Sequence, residues 1–155
     1  AVCVAQSALR GRAVNATILL ADSAQATPDG KLHALGIGWT HTSSPITAPS
    51  AVAFILHVPW SETNRKIKWT LDLLDADGKP VDVQTGPESF TNVHMENEIE
   101  VGRPPGTKPG SEINVPFAVN ITPMPLEPDH TFVWVLKVGD REWRAPFATR
   151  SLQQR

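Results

Sequence analysis

Residues 131–149, TFVWVLKVGDREWRAPFAT, form the stretch that decides the fold. Two runs of alternating residues flank the dipeptide Gly139-Asp140, and glycine at the first turn position supplies the positive φ of a type II′ turn, so the stretch predicts a β-hairpin. The first run is apolar at nearly every position, which predicts a strand covered on both faces. The second run is half polar and contains Pro146, which has no N–H to donate and therefore favours a sheet edge. We expect this hairpin to be the closing pair of a β-sandwich on which the earlier strands stack.

The rest of the chain repeats this alternation of apolar and polar residues in short segments. The 14 prolines and 10 glycines lie mostly between these segments, as is typical of an all-β domain. Residues 22–30 and the run RPPGTKPG at 103–110 are predicted loops. Beside the closing hairpin, the predicted strands cover residues 14–20, 31–40, 52–58, 66–73, 81–83, 89–101 and 113–119. About eight or nine strands without a convincing helix predict an antiparallel sandwich of the immunoglobulin or fibronectin type III sort, with a closed barrel as the alternative.

The predicted strand at residues 31–40 contains an unusual Gly-x-Gly pair, Gly36 and Gly38. Such a pair indicates phosphate binding when a helix follows it, and here a loop rich in proline and serine follows. We therefore expect close backbone packing or a bulge at these glycines. Leu35, Ile37 and Trp39 alternate with them and are predicted to share one face of the strand.

The composition restricts the classes of function. A chain of 155 residues suits one domain, predicted at 14–150, with an extension at 1–13 and a tail at 151–155. A net charge of −2 offers no basic surface for nucleic acid, and no run approaches the roughly 20 apolar residues of a membrane helix. The extension makes a poor signal peptide, so we expect a cytoplasmic protein and little contribution of these residues to the fold. A homo-oligomer is compatible with this composition.

Two sets of residues are weak candidates for a metal site. Asp75 and Asp77 precede a glycine, as at the start of a calcium loop, but no glutamate closes the loop, and a hairpin turn is the favoured interpretation. His94 and Glu96 lie on one face of a predicted strand, where successive side chains are about 7 Å apart, so ligands from another strand would be needed. With Glu98 and Glu100, they are better interpreted as a solvated acidic face. We expect no metal and no cofactor.

Catalytic signatures are missing from the sequence. The single cysteine, Cys3, falls in the predicted extension, and the chain has no Gly-x-Ser-x-Gly motif. The other histidines, His33, His41, His57 and His130, show neither His-x-His nor His-Glu-x-x-His spacing. We therefore assign no catalytic residues and expect the protein not to be an enzyme.

Trp60 is the strongest candidate for a binding residue. It follows Pro59 at the end of a predicted strand and precedes polar residues, and an aromatic centre with a polar rim is typical of interfaces. The alternative is a tryptophan that folds back as a lid over the sandwich end. We assign Trp60, Ser61, Glu62 and Asn64 to the candidate binding site. The other four tryptophans lie in strand pattern and are predicted to be core residues: Trp39, Trp69, Trp134 and Trp143.

Three stretches together resemble a known family. The runs NATILLADSAQATPDGKLHALGIGW, at 15–39, and HVPWSETNRKIKWTLDLLDADGKPV, at 57–81, followed by the closing hairpin, are similar to an uncharacterised domain family of actinobacteria and related bacteria. The resemblance covers roughly residues 15–148, and the pattern VPW…N…LLDxDG is its most specific part. It implies a β-sandwich fold and no catalytic residues, because the family has no established activity.

These observations predict a non-enzymatic β-sandwich that acts as an interaction or structural module, with another protein as its partner. A small-ligand or carbohydrate-binding module is the first alternative, and a metal-dependent enzyme is the second. A partner surface is expected at the loop end that contains Trp60, and the row of glutamates on the acidic strand is expected to be a poor interface.

Overall fold

The computed structural model describes residues 13–44 and 48–151, which are all-β apart from one short 3-10 turn at Trp60–Glu62. Twelve strands lie in these residues, more than the eight or nine predicted. They are β1 Asn15–Ala21, β2 Ser23–Ala26, β3 Leu32–Leu35, β4 His41–Ser44, β5 Ser50–Val58, β6 Lys66–Asp75, β7 Asp82–Gly86, β8 Ser89–Asn92, β9 His94–Glu100, β10 Ile113–Ile121, β11 Thr131–Val138 and β12 Arg141–Ser151. No helix in the described residues is long and apolar enough to cross a membrane.

The strands form two larger sheets and two ribbons. One sheet has the order β4-β12-β11-β6-β9, and the other has the order β1-β5-β10. The ribbons are β2–β3 and β7–β8. All pairs are antiparallel except β4 with β12, and one of the sheets curls into a half-barrel. The all-β prediction is therefore confirmed.

The closing hairpin has the predicted form. Val138 pairs with Arg141 across a two-residue turn in which Gly139 has a φ of 61°. β11 lies between β12 and β6, and its outward row is buried at Val135 but exposed at Thr131 and Lys137, so its second face is covered only in the middle. β4 pairs with β12 only from Ala148 onward. The earlier part of β12, with its half-polar sequence and Pro146, therefore lies at an edge, as expected.

The two larger sheets share one core. Phe54 of β5 contacts Phe117 of β10 and Trp69 of β6, with ring centroids 5.0 Å apart in both pairs. Trp69 and Trp134 are buried as predicted. Trp39 and Trp143 are only half-buried, so the prediction that all four tryptophans are core residues is too broad.

The predicted strand at 31–40 is wrong beyond Leu35. Gly36 and Gly38 have φ values of 64° and 88°, which turn the chain, and Leu35 and Ile37 are 72% and 54% exposed. The predicted close packing at the glycine pair is confirmed at Gly36, because a Cβ there would collide with the carboxylate of Asp22. Glycine is favoured here chiefly by its positive φ, and any larger residue would also displace the Asp22 carboxylate.

The predicted loop at 22–30 contains β2, which the sequence analysis missed. The ribbon β2–β3 packs on the outer face of the three-stranded sheet through small residues, Ala24 against Ala51 and Ala53. The side chain of Asn120 in β10 fixes it by bonding to the backbone N–H and C=O of Ala24, at 3.2 and 2.9 Å. Alanine and serine give too little hydrophobic contrast to reveal a strand by periodicity.

Two boundaries also differ from the predictions. The predicted strand at 89–101 is divided at Val93 into β8 and β9, because the N–H of Val93 bonds to Val81 instead of continuing one ladder. β12 runs to Ser151, the first residue of the predicted tail. Residues 1–12 of the predicted extension, including Cys3, and residues 152–155 lie outside the described residues.

Candidate functional site

The 3-10 turn that joins β5 to β6 carries Trp60, the main candidate residue. Trp60 is half-buried, and the guanidinium carbon of Arg103 lies 3.9 Å from the centroid of its ring. Arg103 also donates from Nε to Oγ1 of Thr63, at 2.7 Å, and from Nη2 to the C=O of Trp60, at 3.2 Å. A cation over an aromatic face with two hydrogen bonds is a firm attachment. The segment after β9 is thus fastened to the turn.

Asn64 makes the second connection between these segments. Its φ is 58°, a left-handed conformation that asparagine adopts more easily than most residues. In this conformation its N–H donates to the C=O of Val101, at 2.8 Å. Glu62 makes a loose ion pair with Arg65, at 3.8 Å, and Ser61 lies between Trp60 and Glu62 in the turn.

The structure therefore brings the four predicted binding residues together and adds three that the sequence analysis missed. These are Thr63, Val101 and Arg103, which tie the turn to the start of the RPPGTKPG loop. Nothing in the spacing of residues 60 and 103 shows that they meet, because their contact depends on the pairing of β6 with β9. We define the loop end as residues 59–65 together with 101–104.

An apolar groove of about 600 Å³ adjoins the loop end. One wall is the segment 99–104, which includes Arg103, and the other is the row of alternate residues Ile113, Val115 and Phe117 of β10. β9 is one edge strand of the five-stranded sheet and β10 is one edge strand of the three-stranded sheet, so the groove is an open seam between those sheets. It is open to solvent and lined mostly by apolar atoms. We call it the seam groove.

A second depression, of about 330 Å³, also adjoins the turn, through Glu62. Glu62 lines it, together with Ile67, the start of the described chain at Val14, and the turn of the closing hairpin. Charges of both signs surround it, and Arg141 is already engaged with the C=O of Val14, at 2.9 Å. The loop end thus adjoins two recesses, of which the seam groove is the more apolar.

Replacing Asn64 tests whether its conformation holds the loop end. Asn64→Ala should lower the free energy of unfolding by about 1 kcal/mol, because alanine pays the steric cost of the left-handed region. Asn64→Gly should match the wild type, since glycine adopts this conformation freely. Urea unfolding of the three proteins measures the difference. Equal stability of the alanine variant would show that the turn does not depend on this φ.

The first pair of metal candidates belongs to a turn, which agrees with the favoured interpretation. Oδ1 of Asp75 accepts hydrogen bonds from the N–H groups of Asp77 and Lys79, both at 2.9 Å, and Gly78 has a φ of 77°. A carboxylate that binds its own backbone two residues ahead is a common turn device. Asp75 therefore acts as a local cap between β6 and the chain toward β7.

The second pair, His94 and Glu96, lies in a charge network on the outer face of the five-stranded sheet. Nδ1 of His94 bonds to Asp72 of β6, and Nε2 lies 3.6 Å from Glu96. Glu96 in turn pairs with Lys68, at 3.2 Å. Across the described residues, no group of three histidine, cysteine, aspartate or glutamate side chains is arranged to hold a metal ion.

The residues predicted to form a solvated acidic face are exposed, and two of the glutamates have lysine partners. Glu96 pairs with Lys68, and Glu98 pairs with Lys66, at 3.3 Å. The lysines come from β6, which lies beside β9, and both ion pairs are well exposed, so the glutamates keep one side open. The sequence placed these lysines on an outward face but did not show which strand they would face.

The same contacts shift two pKa values. The hydrogen bond with Asp72 raises the pKa of His94 above its ordinary value of 6.5, and Glu96 adds to this rise. Lys68, with a smaller contribution from His94, lowers the pKa of Glu96 below its ordinary value of 4.5. Both shifts favour the charged forms, because each group faces the opposite charge.

His94→Gln should remove a stabilisation that depends on pH. Because the pKa of His94 is raised in the folded protein, its contribution is complete below the unfolded value of about 6.5 and disappears as the pH rises through the folded value. The difference in unfolding free energy between wild type and variant should therefore be largest near pH 5.5 and vanish near pH 9. Since the side chain is well exposed, the effect should be small. A difference that stays constant with pH would contradict the ion pair with Asp72.

Another polar cluster lies on the outer face of the three-stranded sheet and was not predicted. Nε2 of His57 is 2.9 Å from Oγ1 of Thr17, its Nδ1 is 2.7 Å from Oδ1 of Asn114, and Glu112 is 3.6 Å away. A hydroxyl, an imidazole and an orienting group in this order resemble a nucleophilic triad. Catalysis of acyl transfer also needs donors in a water-excluded site, whereas Thr17 and Asn114 are open to solvent. We assign this cluster to cross-strand pairing of β1, β5 and β10.

The fold and the loop end define a small all-β domain with an aromatic–arginine pair beside an open apolar seam. A family model described as a family of unknown function (DUF6941) matches residues 16–149, and the chain belongs to this family. This confirms the resemblance to an uncharacterised family. Comparisons with curated proteins and with solved structures give no significant match.

Proposed function

We propose that the protein is a non-enzymatic interaction module that binds another protein through the loop end and the seam groove. The observation that carries this proposal is the Trp60–Arg103 pair, with its ring-to-cation distance of 3.9 Å, whose arginine lines an apolar groove. Tryptophan and arginine are the residues that most often dominate the binding energy of interfaces, in particular where they adjoin a desolvated pocket.

The fixed position of Arg103 supports this proposal. Two of its N–H groups are used in hydrogen bonds to Thr63 and Trp60, and its side chain is exposed at the groove mouth. A guanidinium that is already ordered loses less conformational entropy when it binds a carboxylate or a carbonyl group. Arg103 is therefore preorganised to bind a polar group of a partner.

The alternatives receive less support from the same geometry. Small-ligand sites enclose most of their ligand, whereas the seam groove is open to solvent. A sugar would stack on an exposed aromatic face, but Arg103 already covers one face of Trp60. A metal-dependent enzyme needs converging ligands, and the part of the chain that the structure describes brings no such group together.

Site-specific photo-crosslinking in the native host would test the proposal. A photoreactive residue in place of Lys108, in the exposed loop that follows Arg103, should give discrete protein adducts. The matched control is the same residue in place of Glu88, in the exposed turn between β7 and β8. Adding Arg103→Ala should remove the Lys108 adducts, and Arg65→Ala should not. Equal adducts from both positions, or adducts that persist without Arg103, would contradict an interface at the loop end.

Three further expectations belong to this proposal. The packing of two mainly antiparallel sheets around one core supports an immunoglobulin or fibronectin type III-like arrangement. A cytoplasmic location and a bacterial source stay predictions, founded on the sequence and its resemblance.

A further inference from the structure

The two walls of the seam groove differ in how many unpaired backbone N–H and C=O groups they present. This difference suggests how a partner is recognised. The inference rests on the proposed function, because it concerns the same groove. Each wall is an edge strand, β9 of the five-stranded sheet and β10 of the three-stranded sheet. An edge strand presents unpaired backbone N–H and C=O groups to which another chain can add.

β9 has an open edge. The N–H of Leu73 donates to the C=O of Val93, at 3.0 Å, so the odd-numbered residues of β9 bond to β6. Because pairing alternates along an antiparallel ladder, the backbone groups of the even-numbered residues, from His94 to Glu100, point away from the sheet. In the described residues no strand pairs with this edge. Among the hydrogen bonds of the described residues, the outward N–H of Glu98 is the one that is covered, by Oδ1 of Asn97 at 2.8 Å.

β10 does not offer an equivalent edge. Pro116 lies in its middle, opposite Ile55 of β5, and has no N–H to give. Proline is confined to positions whose N–H would face away from the ladder, so it interrupts the outward row of donors. The side chain of Asn120 is also committed to Ala24. An added strand can therefore pair with β9 and not with β10.

The side chains around β9 specify the chemistry of such a strand. One face of an added strand would lie on the apolar wall formed by Ile99, Ile113, Val115 and Phe117. Its other face would lie beside Glu96, Glu98 and Glu100, of which only Glu96 and Glu98 have lysine partners in the described residues. Opposite charges across neighbouring strands are stabilising, and like charges are destabilising.

We propose that β9 accepts an extended segment of a partner protein as an added strand, with apolar residues facing the seam groove and basic residues facing the glutamates. The Trp60–Arg103 pair then lies beyond the end of this strand and contacts the flanking part of the partner. A second copy of this chain fits less well. An antiparallel pair of β9 strands centred on Glu98 would place glutamates directly opposite one another.

A direct test uses a seven-residue peptide of alternating valine and lysine, which matches the length of β9, and titrates it against the whole protein by calorimetry. A peptide of alternating valine and glutamate, and the lysine peptide with a central proline, are the controls. The lysine peptide should bind, and each control should bind at least about tenfold more weakly, because it loses charge pairing or backbone bonds. Equal binding of all three would overturn strand addition.

Variants of the protein locate the site. Glu98→Lys should weaken binding of the lysine peptide about tenfold and strengthen binding of the glutamate peptide. Glu88→Lys makes the same change in net charge outside the groove and should have no effect. Glu96→Pro should abolish binding while the thermal midpoint stays near that of Glu96→Gln, since the N–H of Glu96 does not take part in the ladder with β6. Unchanged binding by Glu96→Pro would contradict the proposal.

The outcome also separates this inference from the proposed function. If the lysine peptide fails to bind while the Lys108 adducts still form and still require Arg103, strand addition is overturned and the interface at the loop end stands. If the peptide binds without protecting the amide hydrogens of Glu96 and Glu100 from exchange, its site is elsewhere and the inference is overturned. Protection of these two amides, with no change along β2–β3, is the expected result.

Discussion

Trp134→Ala should lower the free energy of unfolding by about 3–5 kcal/mol, as is typical when a large aromatic side chain is removed from a core. Trp134 is 2% exposed and lies in the middle of β11, between Leu73 of β6 and Ala145 of β12. The neighbouring strands are held by their own ladders, so they cannot move in to fill the cavity. A loss of this size is a large part of the roughly 5–15 kcal/mol that stabilises a domain.

The matched control is Trp143→Ala. Trp143 is in β12, where it is half-buried and donates from Nε1 to Asn15, at 3.2 Å. The Trp143→Ala variant should lose clearly less free energy of unfolding than Trp134→Ala, because part of the Trp143 side chain is already in contact with water. Chemical unfolding followed by circular dichroism gives both values. Similar losses in the two variants would contradict the central position of β11.

Phe54→Ala should have a comparable effect, for a different reason. Phe54 connects the sheets, because its ring stacks on Phe117 of its own sheet and meets Trp69 of the other sheet edge to face, both at 5.0 Å. Its removal creates a cavity and breaks two aromatic contacts, so we expect a loss of about 3–5 kcal/mol.

Phe90→Ala is the control for this variant. Phe90 is 65% exposed on β8, and its loss should change stability by no more than about 0.5 kcal/mol. Thermal and urea unfolding of both variants measure the contrast. A small effect at Phe54 would mean that the two larger sheets do not pack through this cluster, and would favour the barrel that the sequence left open.

The sequence predicts the elements whose faces differ sharply in polarity. The closing hairpin, β5 and β6 have alternating patterns with large apolar residues, and the turn at Gly139 requires a positive φ. These elements can therefore be predicted from residues that are neighbours in the sequence. The ribbon β2–β3 was not predicted correctly, because Ala24 and Ala34 have little hydrophobic contrast with their neighbours. The exposure of Leu35 and Ile37 was also missed, since alternation shows which residues share a face and not whether another sheet covers it.

The sequence predicted only those residues of the candidate site that are close to one another along the chain. Trp60 and Asn64 stand out because Pro59 ends the strand and a polar turn follows. Arg103 could not be connected with Trp60, because 43 residues separate them and their contact requires the pairing of β6 with β9. The lysines beside the glutamates were missed for the same reason. A single sequence shows the pattern of each strand but not the order of strands in a sheet.

Hydrogen exchange of the complex with its native partner tests the central claim most directly. The adduct captured from the native host at Lys108 would be compared with the free protein, amide by amide. We expect the amides of Glu96 and Glu100 and the residues of the loop end to become protected, with β2–β3 unchanged. Protection confined to the ribbon, or to the outer face around His57, would contradict an interface at the loop end and the seam groove.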